Sequence, residues 1–285
     1  MIVPTPLLEL RRLNKVYPDG THAVIDLDYS LAAGTITALL GPNGAGKSTT
    51  IGMICGLCIP TGGEILFDGD PVDGRSNRFR SLIGVVSQHA NLELDLSGRQ
   101  NLKIHGLLYG LCGREMNDLI DRLLEAAGLT DAQHRSVRSY SGGMKRKLQI
   151  IRALMHDPSL LILDEPTVGL DPAAREMIWD MITSLNQNGK TILFSTHYME
   201  EAGRYARLVS IMHRGVFIRQ GVPDELISTL GEWCRVSYGG EGKDIHFFET
   251  RDEAVACAKE PGRELVIRKT TLEDVFIELT GRGLS

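Results

Sequence analysis

The stretch Gly41-Pro42-Asn43-Gly44-Ala45-Gly46-Lys47-Ser48-Thr49 restricts this chain more than any other. It satisfies G-x-x-x-x-G-K-[ST], a loop that cradles polyphosphate when it joins a strand to a helix. Both flanks are legible. Thr35-Ile36-Thr37-Ala38-Leu39-Leu40 is an apolar, β-branched run, and Ile51, Ile54, Cys55 and Cys58 follow at helical spacing. The glycines let the backbone close around phosphate oxygens, so that N–H groups and a helix N-terminus face negative charge. Lys47 can reach the terminal phosphates, and the Ser48 hydroxyl is a hard oxygen suited to Mg²⁺. An α/β core that takes a nucleoside triphosphate is therefore expected.

Composition narrows the setting. The 285 residues allow one large domain with a small appendix, and a net charge of −5 argues against a protein held on nucleic acid or anionic lipid. No apolar run reaches the roughly 18 residues that a membrane-spanning helix requires. Met1-Ile2-Val3-Pro4-Thr5-Pro6 lacks the basic-then-apolar build of a secretory leader, so any membrane role is expected to go through a partner. Cys55-Gly56-Leu57-Cys58 spells C-x-x-C but has no second ligand pair, and it reads as small hydrophobic filler.

Leu7 to Leu10 and Leu13 to Tyr17 suggest a first strand, and Ile25, Leu27, Tyr29 and Leu31 alternate with polar residues as a second. Tyr17 reads equally as an ordinary strand aromatic or as a platform for a base. Glu64-Ile65-Leu66-Phe67 and Leu82-Ile83-Gly84-Val85-Val86 are further short strands. The latter leads to Gln88, a polar cap or a group able to meet Mg²⁺ or a water.

From about residue 89 to 157 the pattern turns helical. Ser97-Gly98-Arg99-Gln100 fits a capping box. Ser141-Gly142-Gly143 opens a helix whose basic run Lys145-Arg146-Lys147 reads as a solvated face. Leu160-Leu161-Ile162-Leu163-Asp164-Glu165 has the texture of a buried parallel strand ending in two carboxylates. The first is placed to hold Mg²⁺, and the second to polarise an attacking water. Asp171-Pro172 starts another helix, with Asp171 as N-cap. Lys190 to His197 is a second buried strand, whose terminal His197 is a candidate γ-phosphate contact.

Together these stretches resemble the ATP-binding subunit of an ABC transporter, in one register from residue 1 to about 220. GPNGAGKST resembles its Walker A loop, LLILDE its Walker B strand with the following glutamate, and YSGGM its LSGGQ signature. Tyr140 and Met144 stand where the signature has leucine and glutamine. Gly169-Leu170-Asp171 resembles the D-loop, Gln88 the Q-loop, His197 the switch histidine and Tyr17 the adenine-stacking aromatic. With Thr271-Leu272-Glu273-Asp274-Val275-Phe276 near the end, the set is similar to exporters of the ABC-2 type, which include drug-resistance, sodium-efflux, nodulation-factor and polysaccharide or lipid exporters.

The resemblance implies an α/β P-loop NTPase with a RecA-like core and an N-terminal antiparallel β subdomain. A helical insertion would carry the signature, and residues 221–285 would form a small α/β accessory domain. ATP and Mg²⁺ are the implied ligands, with Ser48, Gln88 and Asp164 at the metal and Glu165, His197 and Gln88 at the chemistry. Two chains would pair head to tail, with Ser141, Gly142 and Gly143 on the partner's ATP. A membrane-spanning ABC-2 permease would dock near His89, Leu92, Leu94 and Leu96, holding the chain on the cytoplasmic face of the cell membrane. The competing class is an ABC-type ATPase acting on ribosomes or DNA. Such proteins usually carry two motif sets or a long coiled coil, and this chain has one set and no heptad run.

Overall fold

The computed structural model describes residues 6–72, 76–88, 91–239, 242–257 and 264–281. The N-terminal segment 1–5 and His89 of the expected docking stretch lie outside them. The chain opens with β1 (Leu8–Val16) and β2 (His22–Leu31), then enters β3 (Ile36–Leu40), the phosphate loop and α1 (Lys47–Ile54). β4 (Gly62–Phe67) and β5 (Asp70–Pro71) return to complete an antiparallel sheet of order β2-β1-β4-β5. Next come α2 (Asn77–Arg80), β6 (Ile83–Val86) and three longer helices, α3 (Gly98–Leu108), α4 (Gly113–Ala126) and α5 (Gly142–Ala153). β7 (Leu160–Asp164), α6 (Pro172–Gln187), β8 (Thr191–Thr196), α7 (Met199–Tyr205), β9 (Leu208–His213) and β10 (Val216–Gly221) follow.

These strands form a six-stranded sheet of order β10-β9-β3-β8-β7-β6, parallel except for β10. Every residue of β3, β7 and β8 is buried, which accounts for their unbroken apolar texture. One face packs on α1 and the antiparallel sheet through Leu39, Ile51, Ile162 and Met212. The other packs on α6 and α7, where Trp179 stacks on Tyr205 with ring centroids 4.2 Å apart. Because the strands are parallel, β3, β6, β7 and β8 all deliver their C-terminal ends to one edge. Gly41, Gln88, Glu165 and His197 all lie at or just beyond those ends.

The second strand departs from simple alternation. Leu27, Tyr29 and Leu31 are buried, but Ile25 is exposed and Val24 takes the inward position. Asp26 has φ 45°, and the pairing of β1 with β2 shifts register there, so the bulge reverses the phase of everything before it.

The helical insertion has its own core of Leu102, Met116, Ile120, Leu124, Val137 and Leu148. Its entry is set as the residues predict. Ser97 accepts from the Gln100 backbone N–H, and the Gln100 side chain accepts from that of Ser97. Tyr140, the residue that departs from the signature, is buried there, with its hydroxyl donating to the Ala132 carbonyl at 2.8 Å.

After α8 (Pro223–Ser228), β11 (Trp233–Gly239), β12 (Gly242–Phe248), α9 (Arg251–Ala256) and β13 (Glu264–Lys269) make a three-stranded antiparallel sheet with one helix. Its limits differ from a boundary near 221. Leu226 of α8 and Leu272, Val275 and Phe276 of α10 (Leu272–Thr280) belong to the core beneath the large sheet. Among the described residues, β11, β12, α9 and β13 contribute no side chain to that core. Arg268 clamps β13 to α10 through two hydrogen bonds to the buried Asp274, at 2.6 and 2.7 Å.

Candidate active site

Gly46 caps α1 with φ 109°, a conformation that side chains avoid, and a Cβ there would stand 2.5 Å from the Ala23 carbonyl oxygen. A Cβ at Gly41 would meet the Met212 carbonyl oxygen at 2.3 Å. The loop is thus shaped by residues that have no side chain to interpose between backbone N–H groups and a ligand. Beside it lies a cavity of about 290 Å³ lined by Asn43, Gly44, Ala45, Gly46, Lys47, Ser48 and Thr49, with Gln88, Glu165, Thr21, His22 and Arg214 opposite. Pro42 forms the base of the loop, its carbonyl accepting from the Ala45 N–H at 3.2 Å.

Lys47 is buried, and its Nζ donates to the carbonyls of Gly41 at 2.6 Å and Pro42 at 3.1 Å. It also lies 3.7 Å from Glu165 Oε1. Burial pushes its ammonium below the usual lysine range, against the pull of Glu165 and Asp164. Ser48 Oγ donates to Asp164 Oδ1 at 3.4 Å, and Ser195 Oγ donates to the same oxygen at 2.5 Å. A hydroxyl and a carboxylate so close form the hard-oxygen pair that Mg²⁺ takes from a protein while phosphate and water fill its other positions. The donor set therefore fits this ion.

Glu165 is buried and adopts φ 50°, a left-handed conformation that costs a non-glycine residue about 1–3 kcal/mol. The surroundings hold it there. Its N–H donates to Ser195 Oγ at 3.0 Å, its carbonyl accepts from Arg146 Nη2 at 2.9 Å, and its Oε2 is 3.1 Å from His197 Nδ1. Arg146 corrects the reading of the basic run as a solvated face. Lys145 and Lys147 are half-buried, but Arg146 is buried and also donates to the Ser87 carbonyl at 3.0 Å. Helical spacing carries the middle residue of the run inward, where its fork joins the Gln88 strand to the Glu165 strand.

Tyr17 follows β1 at the edge of the loop, half-exposed, with its hydroxyl 3.4 Å from Thr49 Oγ1 and Lys15 Nζ 5.2 Å from the ring centroid. Asp171 caps α6 by accepting from the Ala174 N–H at 2.9 Å, with Pro172 in the first turn. Ser141 caps α5 by accepting from the Met144 N–H at 3.2 Å. Ser141 and Gly142 are exposed, and neither they nor Gly143 line the loop cavity of their own chain. The expected docking groove needs correction too. Leu92 is buried in the helical core and Leu96 is half-buried, which leaves Leu94 exposed. Cys55 is buried, its thiol pushed up to about 12 by desolvation, as filler would be.

Parallel strands ending in a phosphate loop, a paired carboxylate and a histidine define a P-loop ATPase, and known proteins say which kind. Residues 24–168 match the family described as ABC transporter. The chain is 40% identical to the Nod factor export ATP-binding protein I of Cupriavidus metallidurans, over 98% of this chain and 99% of that protein. It is 42% identical to the protein of the same name from Rhizobium meliloti, over 99% and 90%. Among solved structures it resembles cbiO1 of Clostridium perfringens, part of an ABC transporter complex, with TM-score 0.72 and 33% identity over 78% of this chain and 90% of that one. An ATP-binding subunit of an ABC transporter superposes with TM-score 0.72 and 27% identity over 96% of this chain and 99% of that one. A dimeric ATP-binding cassette bound to ADP and Pi does so with TM-score 0.69 and 26% identity over 75% and 98%. The chain belongs to the ABC transporter family, as an ATP-binding and ATP-hydrolysing subunit.

Proposed function

We propose that this chain powers export through a separate membrane-spanning permease of the ABC-2 type, acting as a head-to-tail pair of ATPase chains. The observation that carries the pairing is the placement of Ser141, Gly142 and Gly143. They open a helix at the surface, away from the phosphate loop of their own chain, where a second chain's nucleotide can reach them. The dimeric form of the ADP-bound relative supports pairing of two chains, and the names of the export proteins support the direction of transport. No described helix is long and apolar enough to cross a membrane, so the substrate path falls to the permease. That partner would hold the chain on the cytoplasmic face. Leu94, with Leu107 and Leu108 on α3, offers it exposed apolar contacts.

Tyr17 would stack on adenine, and the backbone of 41–49 with Lys47 would hold the phosphates. Ser48, Asp164 and Gln88 would hold Mg²⁺, which when bound neutralises charge on the β- and γ-phosphate oxygens. Glu165 would take the proton of the attacking water at a carboxylate oxygen. His197 would keep that carboxylate oriented and meet the γ-phosphate. Asp171 would sit at the junction of the two chains.

Glu165→Gln tests this. Positioned bases contribute about 10²–10⁴-fold, so turnover should fall by that factor while ATP still binds. The variant should form an ATP-dependent dimer by light scattering, and adding Ser141→Arg should return it to a monomer that still binds ATP. A double variant that dimerises as well as its parent would remove Ser141 from the shared site.

A further inference from the structure

We propose that Glu201 is a positioning residue for ATP hydrolysis, which ties the segment after Glu165 to the residue before His197. The inference rests on the ATPase reading of the site. Glu201 lies in the first turn of α7, and only 5% of its surface is exposed. Its two oxygens are divided between two loops. Oε1 accepts from Thr167 Oγ1 at 2.5 Å, two residues beyond Glu165. Oε2 accepts from Thr196 Oγ1 at 3.1 Å, immediately before His197. Thr196 Oγ1 in turn accepts from the Tyr198 N–H at 3.0 Å, closing the far side of the histidine. Arg175, in the first turn of the helix that Asp171 caps, puts Nε 3.7 Å from Oε1 and lies over the Tyr198 ring.

A buried carboxylate is a poor choice for packing alone. Its desolvation is costly, and apolar residues of similar size often stabilise such sites better. What it supplies is direction, since two acceptor oxygens fix two hydroxyls at once. Ser195 holds the N–H of Glu165 and Arg146 its carbonyl, and the Thr167–Glu201 bond anchors the chain two residues further on. Without it, the left-handed turn at Glu165 and the loop of His197 lose their common brace.

Steady-state ATP hydrolysis by the full chain, with thermal unfolding measured beside it, tests the assignment. A displacement of about 1 Å at reacting groups costs about 10²-fold, so Glu201→Ala should lower kcat by roughly 10- to 100-fold. KM for ATP should stay within about threefold, because the phosphate loop is untouched. Glu201→Gln should recover part of the loss, since its amide can still accept from Thr167 and donate to Thr196. Thr167→Val keeps the shape and removes the hydroxyl. Combined with Glu201→Ala it should lose no more than Glu201→Ala alone, the signature of one shared interaction. If Glu201→Ala does not fold, Glu201→Leu, which fills the space and also removes both acceptors, takes its place in the cycle. Turnover within twofold of the parent for Thr167→Val, or losses that simply multiply, would overturn the proposal. A parent chain no more active than its Lys47→Ala variant would instead overturn the ATPase reading, and this role with it.

Discussion

His197 Nδ1 stands 3.1 Å from Glu165 Oε2, so the polar groups that end two neighbouring parallel strands are joined directly. The contact gives each a separate job. Glu165 is buried and closed off by Lys47 on its other oxygen, whereas His197 is only half-buried. Removing His197 should therefore disturb the reaction more than the binding. His197→Ala is expected to lower phosphate release by about 10²-fold or more while affinity for a fluorescent ATP analogue stays within a few-fold. Unchanged release would leave the histidine with a structural task only.

Arg146 joins the segment that follows β6 to the one that follows β7. Its guanidinium donates to the Ser87 carbonyl, the Glu165 carbonyl and Gln149 Oε1. A lysine keeps the charge but cannot fork in this plane. Arg146→Lys should lose at least one of these buried hydrogen bonds and destabilise the chain by about 1–3 kcal/mol, read from urea unfolding. Turnover should fall as well, because the strained backbone of Glu165 loses one of its supports.

The third prediction concerns acid. His105 on α3, Tyr109 and His156 form a cluster where the helical insertion meets the large sheet, with Tyr109 stacked on His156 at 3.9 Å and His156 Nε2 donating to the Ile83 carbonyl at 2.9 Å. Burial, with Arg152 and His156 nearby, pulls His105 down to about 4 from an ordinary 6.5, and burial lowers His156 too. Between those values the unfolded chain binds a proton that the folded chain refuses. Stability should thus be full above about pH 6.5 and fall as the pH drops towards 4. Urea midpoints across that window should show it, and His105→Phe should flatten the slope. An equal slope in the variant would place the effect elsewhere.

What the residues made legible, and what they hid, follows from the range of the interactions involved. β3, β7 and β8 are buried on both faces, so their composition alone identifies them. The caps at Ser97, Ser141 and Asp171 are made within three residues and are equally readable. The bulge at Asp26 was not, because a register shift is decided between strands. Arg146 and Glu201 look like ordinary surface charges on amphipathic helices, and their contacts to Glu165 and Thr167 join segments distant in the chain. The one available hint was spacing. Each stands a helical turn or so from a motif, on the side that turns back towards it.

The packing of α10 is equally long-range, and it has a consequence for synthesis. Leu272, Val275 and Phe276 fill the same core as Ile36 and Ala38, and the Phe276 ring meets His213 edge-on at 5.8 Å. The ribosome makes the phosphate loop early and this helix late. Until the segment 272–280 has emerged, the face beneath β9 and α7 stays open and apolar, a state prone to aggregation. Premature termination before α10 should therefore yield a chain that carries every nucleotide motif and still fails to accumulate, because this late helix is also the plug of its first-made core.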